Sequence, residues 1–133
     1  MVTETPIQMR FADVDMLGHV NNVNQQHYFD LGKNEFFAEV LDMKPYWKAE
    51  GLIIVATNST YASQIRMDEP IAVRTRITKI GHKSFTLHQQ IVNTQNGQLK
   101  TECTTVLVAF NFELQHSVEL PSLWRDLLSH AME

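Results

Sequence analysis

Arg10-Phe11-Ala12-Asp13-Val14-Asp15-Met16-Leu17-Gly18-His19-Val20-Asn21-Asn22, running on into Tyr28-Phe29 and Phe36-Phe37, is the stretch around which the rest of the chain can be organised. It reads as the end of a strand, a polar loop and the start of a long helix. Residues 7–13 alternate apolar and polar behind Pro6, the pattern of a half-buried strand. From Asn22 to about Leu41 the period lengthens. Phe29, Gly32, Phe36 and Val40 recur at helical spacing, and Tyr28, Leu31 and Phe37 widen the apolar face. A glycine inside a helix costs about 1 kcal/mol against alanine. Gly32 on that stripe therefore predicts close approach of another backbone, such as a sheet wrapped round the helix.

Outward from the helix, Pro45 ends it and Tyr46-Trp47-Lys48-Ala49-Glu50-Gly51 connects onward. Four strands are expected next, over residues 52–65, 71–80, 84–94 and 99–112, all rich in Val, Ile, Thr and Phe. Asp68-Glu69-Pro70, Gly81-His82 and Gln95-Asn96-Gly97 punctuate them, and Asn-Gly is a strong hairpin signal. Connections this short allow antiparallel neighbours and leave no room for crossover helices. A last helix starts at Leu120-Pro121-Ser122 and runs to about Ala131, with Leu123, Trp124, Leu127 and Leu128 on its apolar side. The order strand, long helix, four strands, short helix is an α+β plan: one antiparallel sheet curled around one helix.

Length and composition limit the functions open to the chain. Its 133 residues suit a single domain. Apolar residues at 44% and charged residues at 20% are ordinary for a soluble globular protein, and a formal charge of −4 argues against binding nucleic acid through its phosphates. Apolar runs such as Leu52 to Ala56 fall far short of the roughly 20 residues a membrane span needs. No secretory signal is visible at the start, and the lone Cys103 cannot form an internal disulfide, so the expected location is cytoplasmic, with no membrane role. Cys103 reads as a small apolar strand residue. The six histidines show no zinc-site spacing, so no metal is expected. There is no phosphate-binding glycine loop and no Gly-x-Ser-x-Gly elbow.

The chemistry concentrates in the opening loop, where two aspartates, a glycine, a histidine and two asparagines crowd together. A packed core would tolerate that density badly. Asn21 or Asn22 can cap the helix, whose remaining first-turn N–H groups carry partial positive charge able to polarise a carbonyl. A tight turn at Gly18 could fold the Asp15 carboxylate back across that helix mouth. A carboxylate facing a donor cluster suits acyl transfer. Asp15 equally fits a turn former that bonds its own backbone, and Asp13 competes with it while suiting a backbone-bonding role.

The string Asp15-x-x-Gly18-His19-Val20-Asn21-Asn22, with the aromatic pairs that follow, resembles the hotdog-fold acyl-CoA thioesterases, specifically the 4-hydroxybenzoyl-CoA thioesterase-like group. Tyr61 and Gly81-x-x-Ser84-Phe85 continue the resemblance over nearly the whole chain. It implies a five-stranded antiparallel sheet around one long helix, with Asp15 as nucleophile or general base. It also implies that Gly18 shapes the turn, that the Asn22 amide points at the thioester carbonyl, and that His19 is near the chemistry. Asn21, Gln25, Tyr61 and Ser84 would contact substrate. CoA would enter as part of the substrate rather than as a cofactor, or the thioester would be carried on an acyl carrier protein. Subunits would pair edge to edge as homodimers, or pair further into tetramers, with active sites between them.

Arg66, Arg74, Arg76, Lys79 and Lys83 put five cations in eighteen residues, facing only Asp68 and Glu69 locally. Arg74 and Arg76 share a strand face, and Lys79 to Ser84 would form the hairpin corner where the family holds the nucleotide end of CoA. A solvated sheet face is the plainer alternative. The chain departs from the family at Gln25, where an aromatic is usual, and at Gln64, where proline is usual. Gly32 and Lys33 replace alanine and arginine. These changes leave open a non-catalytic binding module for acyl-CoA or acyl carrier protein, and a hydratase or dehydratase on the same fold.

Overall fold

The computed structural model describes residues 1–43 and 50–132. Pro45 and most of the expected connector lie outside the described residues. The order is β1 (Thr3–Ile7), a single 3-10 turn (Phe11–Asp13), α1 (Asn22–Leu41), β2 (Glu50–Tyr61), β3 (Ile71–Ile80), β4 (Ser84–Asn93), β5 (Leu99–Asn111), β6 (His116–Ser117) and α2 (Ser122–Met132). The strands form one antiparallel sheet in the order β1-β3-β4-β5-β2. The two-residue β6 pairs with Phe110 and Asn111, beyond Val108, the partner of the first residue of β4.

The long helix, the four later strands and the closing helix lie close to where periodicity puts them. The first strand does not. It covers Thr3–Ile7 rather than residues 7–13, and includes Pro6. An edge strand tolerates proline because the side that lacks its N–H can face away from the ladder, and β1 pairs only with β3. Residues 11–13 wind instead into the 3-10 turn. The second strand stops at Tyr61 instead of residue 65, and the Ser63–Glu69 segment forms a bonded loop.

The helix packs against one sheet face. Tyr28, Phe29, Gly32, Phe36, Val40 and Leu41 are buried there, while Leu31, expected on that face, is exposed. Gly32 fits for a reason slightly different from the expected one. A Cβ there would sit 2.6 Å from Val73 Cγ1 and 3.0 Å from Gln89 Nε2, so it is side chains rather than backbone that press on it. Alternation along β3 turns Val73, Thr75 and Ile77 inward and Arg74 and Arg76 outward. The core falls into two groups along the helix. One gathers Phe36, Val40, Phe85, Leu87, Leu107 and Leu128 toward α2, and the other gathers Val20, Tyr28, Phe29, Ile65, Val73 and Cys103 toward the opening loop. Cys103 is a free, buried thiol there. No helix among the described residues is long and apolar enough to cross a membrane.

Candidate active site

The start of α1 is fixed by its own sequence. Asn21 is extended, and its side chain accepts the Asn24 N–H at 2.9 Å. Gln25 N–H makes the first intrahelical bond, to Asn21 O at 3.1 Å. The amides of Asn22 and Val23 precede that bond, so this end of the helix carries partial positive charge.

The loop before it is a closed turn. Gly18 takes φ +85°, a left-handed conformation that favours glycine, with its N–H on Asp15 O at 3.0 Å. Asp15 N–H donates to His19 O at 3.1 Å, and Asp15 Oδ1 accepts the Leu17 N–H at 2.9 Å. Asp15 thus bonds its own turn, leaving its second carboxylate oxygen for other work. Its neighbours Met16 and Leu17 are 99% and 76% exposed.

Asp13 does more than bond backbone in the loop. It is buried, and takes the Tyr28 hydroxyl at 2.6 Å, the Arg10 guanidinium at 2.8 and 3.0 Å, and the Arg10 amide at 3.1 Å. Burial alone would raise its carboxyl, but the bonds from Tyr28 and Arg10 outweigh that and hold it below the usual carboxylate range. Burial, helped by the adjacent carboxylate, pushes the Tyr28 hydroxyl well above its ordinary value. The pair pins the strand-to-helix passage onto α1.

A second buried clamp holds the loop from the other side. Val20 N–H bonds Ile65 O at 2.8 Å, and His19 bridges to Arg66 in antiparallel fashion. The Ile65–Arg66 segment is itself fixed by Glu69, which takes Lys100 Nζ at 2.7 Å, the Arg66 amide at 2.8 Å and the Asn93 side chain at 3.0 Å. Burial opposes ionisation of Glu69, and the bonds from Lys100, Arg66 and Asn93 override it and lower its titration. Lys100 also donates to Gln64 O at 3.0 Å. Sequence reading gave neither Lys100 nor Asn93 a role, since nothing local marks a lysine inside a strand as buried.

Between these parts opens a cleft of about 350 Å³ lined by His19, Val20, Asn22, Gln25, Tyr61, Ala62, Ser63 and Gln64. It brings together His19, Asn22, Gln25 and Tyr61 from the expected site, and adds Ser63 and Gln64. Gln25 is buried and oriented on both sides: its carbonyl accepts Thr101 Oγ1 at 2.5 Å and its NH2 donates to Val20 O at 3.2 Å. Asp15, Gly18 and Asn21, also expected at the site, are not among the residues that line this cleft.

The basic residues stand elsewhere. Arg74 and Arg76 project from the sheet face opposite α1, and Arg74 is bonded to Glu4 at 2.9 Å. Lys79 and Lys83 are exposed at the corner between β3 and β4, with Ser84 half-buried beside them. Gly81 N–H donates to Ser84 O at 2.6 Å there, and a Cβ on Gly81 would sit 2.9 Å from Ser84 Oγ.

Comparison with known proteins bears on this geometry. A family model described as the thioesterase-like superfamily matches residues 9–128. The uncharacterized protein YsmA of Bacillus subtilis (strain 168) is 28% identical over 82 residues, 62% of this chain and 55% of that protein, so the match spans about half of that relative. A predicted thioesterase from Bacillus stearothermophilus is 26% identical with TM-score 0.88, covering 100% of this chain and 98% of that one. DHNA-CoA thioesterase from Staphylococcus aureus is 19% identical with TM-score 0.84, covering 97% and 89%. An aspartate-to-asparagine mutant of 4-hydroxybenzoyl CoA thioesterase, complexed with 4-hydroxybenzoyl CoA, is 20% identical with TM-score 0.84, covering 96% and 98%. The sheet and helix described above are a hotdog fold.

Proposed function

This chain belongs to the thioesterase-like superfamily, and from that premise we propose that it hydrolyses an acyl-CoA thioester to the free acid and CoA. The observation that carries the reading is the positive end of α1, with Asn22 at its first turn, opening onto the cleft. A thioester carbonyl set there meets backbone donors that stabilise the oxyanion formed when the carbonyl is attacked. Asp15 supplies the attack, as nucleophile or as the base that draws a proton from water. The tetrahedral species collapses by breaking its C–S bond and the CoA thiolate leaves; this gives the free acid directly when water attacked, and an acyl–Asp15 anhydride that a water then hydrolyses when Asp15 attacked. Gly18 shapes the Asp15 turn, and His19, Asn21, Gln25 and Tyr61 place the acyl group. The exposed charges of Lys79 and Lys83, beside Ser84, take the nucleotide phosphates, with Arg76 and Arg74 on the neighbouring face.

The site is completed in a homodimer. Among the described residues β2 ends the sheet with one edge unpaired, and Ile54, Val55 and Tyr61 on it are about half exposed. Phe11, Met16 and Leu17 stand out from the opening loop, apolar and largely bare. Pairing along β2 covers both, and brings a second copy against the Asp15 turn.

A non-catalytic binder of acyl-CoA or acyl carrier protein is the second reading. It is favoured by the bond that already occupies one Asp15 oxygen and by the absence of Asp15 from the cleft lining. Thiol release from short, medium, long and aromatic acyl-CoAs separates the two. Turnover on any of them supports hydrolysis, and tight binding without thiol release across the series supports the binder.

A further inference from the structure

The corner between β3 and β4 is held from behind by the C-terminal helix. Arg125, in the first turns of α2, sends Nη2 to Gly81 O at 2.9 Å and to His82 O at 2.8 Å. His82 O also accepts the Leu120 N–H at 3.1 Å, and Lys83 O accepts the Ala109 N–H at 2.9 Å. All three carbonyls of the turn are thereby drawn toward the protein. The side chains of His82 and Lys83 are left on the exposed side, with His82 Nδ1 3.6 Å from Glu119 Oε1.

This arrangement matters electrostatically. Carbonyl oxygens are the negative ends of peptide dipoles, and a turn that showed them outward would repel a phosphate. One guanidinium, delivering charge-assisted bonds to two successive carbonyls, keeps those oxygens off that surface. We infer that Arg125 is a positioning residue for the nucleotide end of a CoA thioester: it orients the Gly81–Lys83 turn so that Lys79 and Lys83 present positive charge to the phosphates. The inference rests on the reading of this corner as the phosphate site. It adds a residue from α2, some forty positions away in sequence, that never touches substrate.

The test compares a CoA thioester with the same acyl group on pantetheine, which lacks the nucleotide and its phosphates. Replacing Arg125 by alanine raises KM for the CoA thioester about ten-fold relative to KM for the pantetheine thioester, the scale of a lost charge-assisted bond, while kcat on the two carriers moves together. Arg125→Gln, whose amide still donates to a carbonyl, recovers part of that ratio. The dissociation constant of CoA, by calorimetry, follows the same order whether or not the chain turns over. Equal changes on both carriers would mark Arg125 as a general structural residue and overturn the inference, as would no change. Lys83→Ala run in parallel separates the failures. If it loses the CoA preference and Arg125→Ala keeps it, only the role of Arg125 falls. If both variants keep the preference, the corner is not the phosphate site and both readings fall.

Discussion

The two ends of α1 are held by different kinds of force. Toward its C-terminus, Phe36, Val40 and Leu41 pack among the apolar side chains of Ile77, Phe85, Leu87, Leu107, Leu120 and Leu128. Toward its N-terminus, Tyr28 and Phe29 also pack, but directional bonds run through the packing: Tyr28 to Asp13, Thr101 to Gln25, Gln89 to both Phe29 O and Thr75, and Lys100 to Glu69. Apolar burial supplies driving force and is indifferent to small slips. Hydrogen bonds fix distance and angle, and are costly to leave half made. The helix end that needs a defined geometry is the one built with them.

The sharpest way to break this contrast is to cut once at each end. Phe36→Ala leaves a void, and Lys100→Ala strands the Glu69 carboxylate. Each is expected to lower unfolding free energy by about 3–5 kcal/mol in urea titrations. They part in activity: once corrected for folded fraction, Phe36→Ala keeps its turnover, and Lys100→Ala loses it with the loop that frames the cleft. Equal residual activities would show that the polar end is not special.

Acid separates the ends next. Asp13 and Glu69 both titrate lower in the folded chain than in the unfolded one, so the unfolded chain binds more protons at low pH. Their stabilisation is fully present above the ordinary carboxylate value of about 4. It is lost as pH falls through the lowered folded values. Stability measured from pH 7 down to pH 3 should drop, and less steeply when Glu69→Leu and Lys100→Met are combined. The smallest of these effects is Tyr28→Phe, which removes one donor from a buried carboxylate and should cost about 1.5–3 kcal/mol.

The same contrast explains what could be read in advance. α1, β3, β4 and β5 follow from periods of 3.6 and 2 because their inward faces are apolar and repeat. Asn21 and Gly18 are legible because capping and a left-handed turn each demand a residue type. The first strand was misplaced because the alternation of residues 7–13 is real but Asp13 draws Arg10 into a tight turn that breaks it. The basic cluster looked unpaired because the partner of Arg74 is Glu4, 70 residues away. Lys100 and Glu69 escaped for a like reason, since only the fold brings their segments together. What sequence cannot show locally is who meets whom across the sheet, and most of the polar end is made of such meetings.

The account turns on Asp15 acting at a carbonyl held by the first turn of α1. Asp15→Asn keeps the shape and the turn-closing oxygen while removing the charge. Its kcat for acyl-CoA hydrolysis, measured beside its dissociation constant for CoA, tests that most directly. Turnover should fall at least about a hundred-fold while CoA binding holds. Turnover near that of the unmodified protein would contradict it.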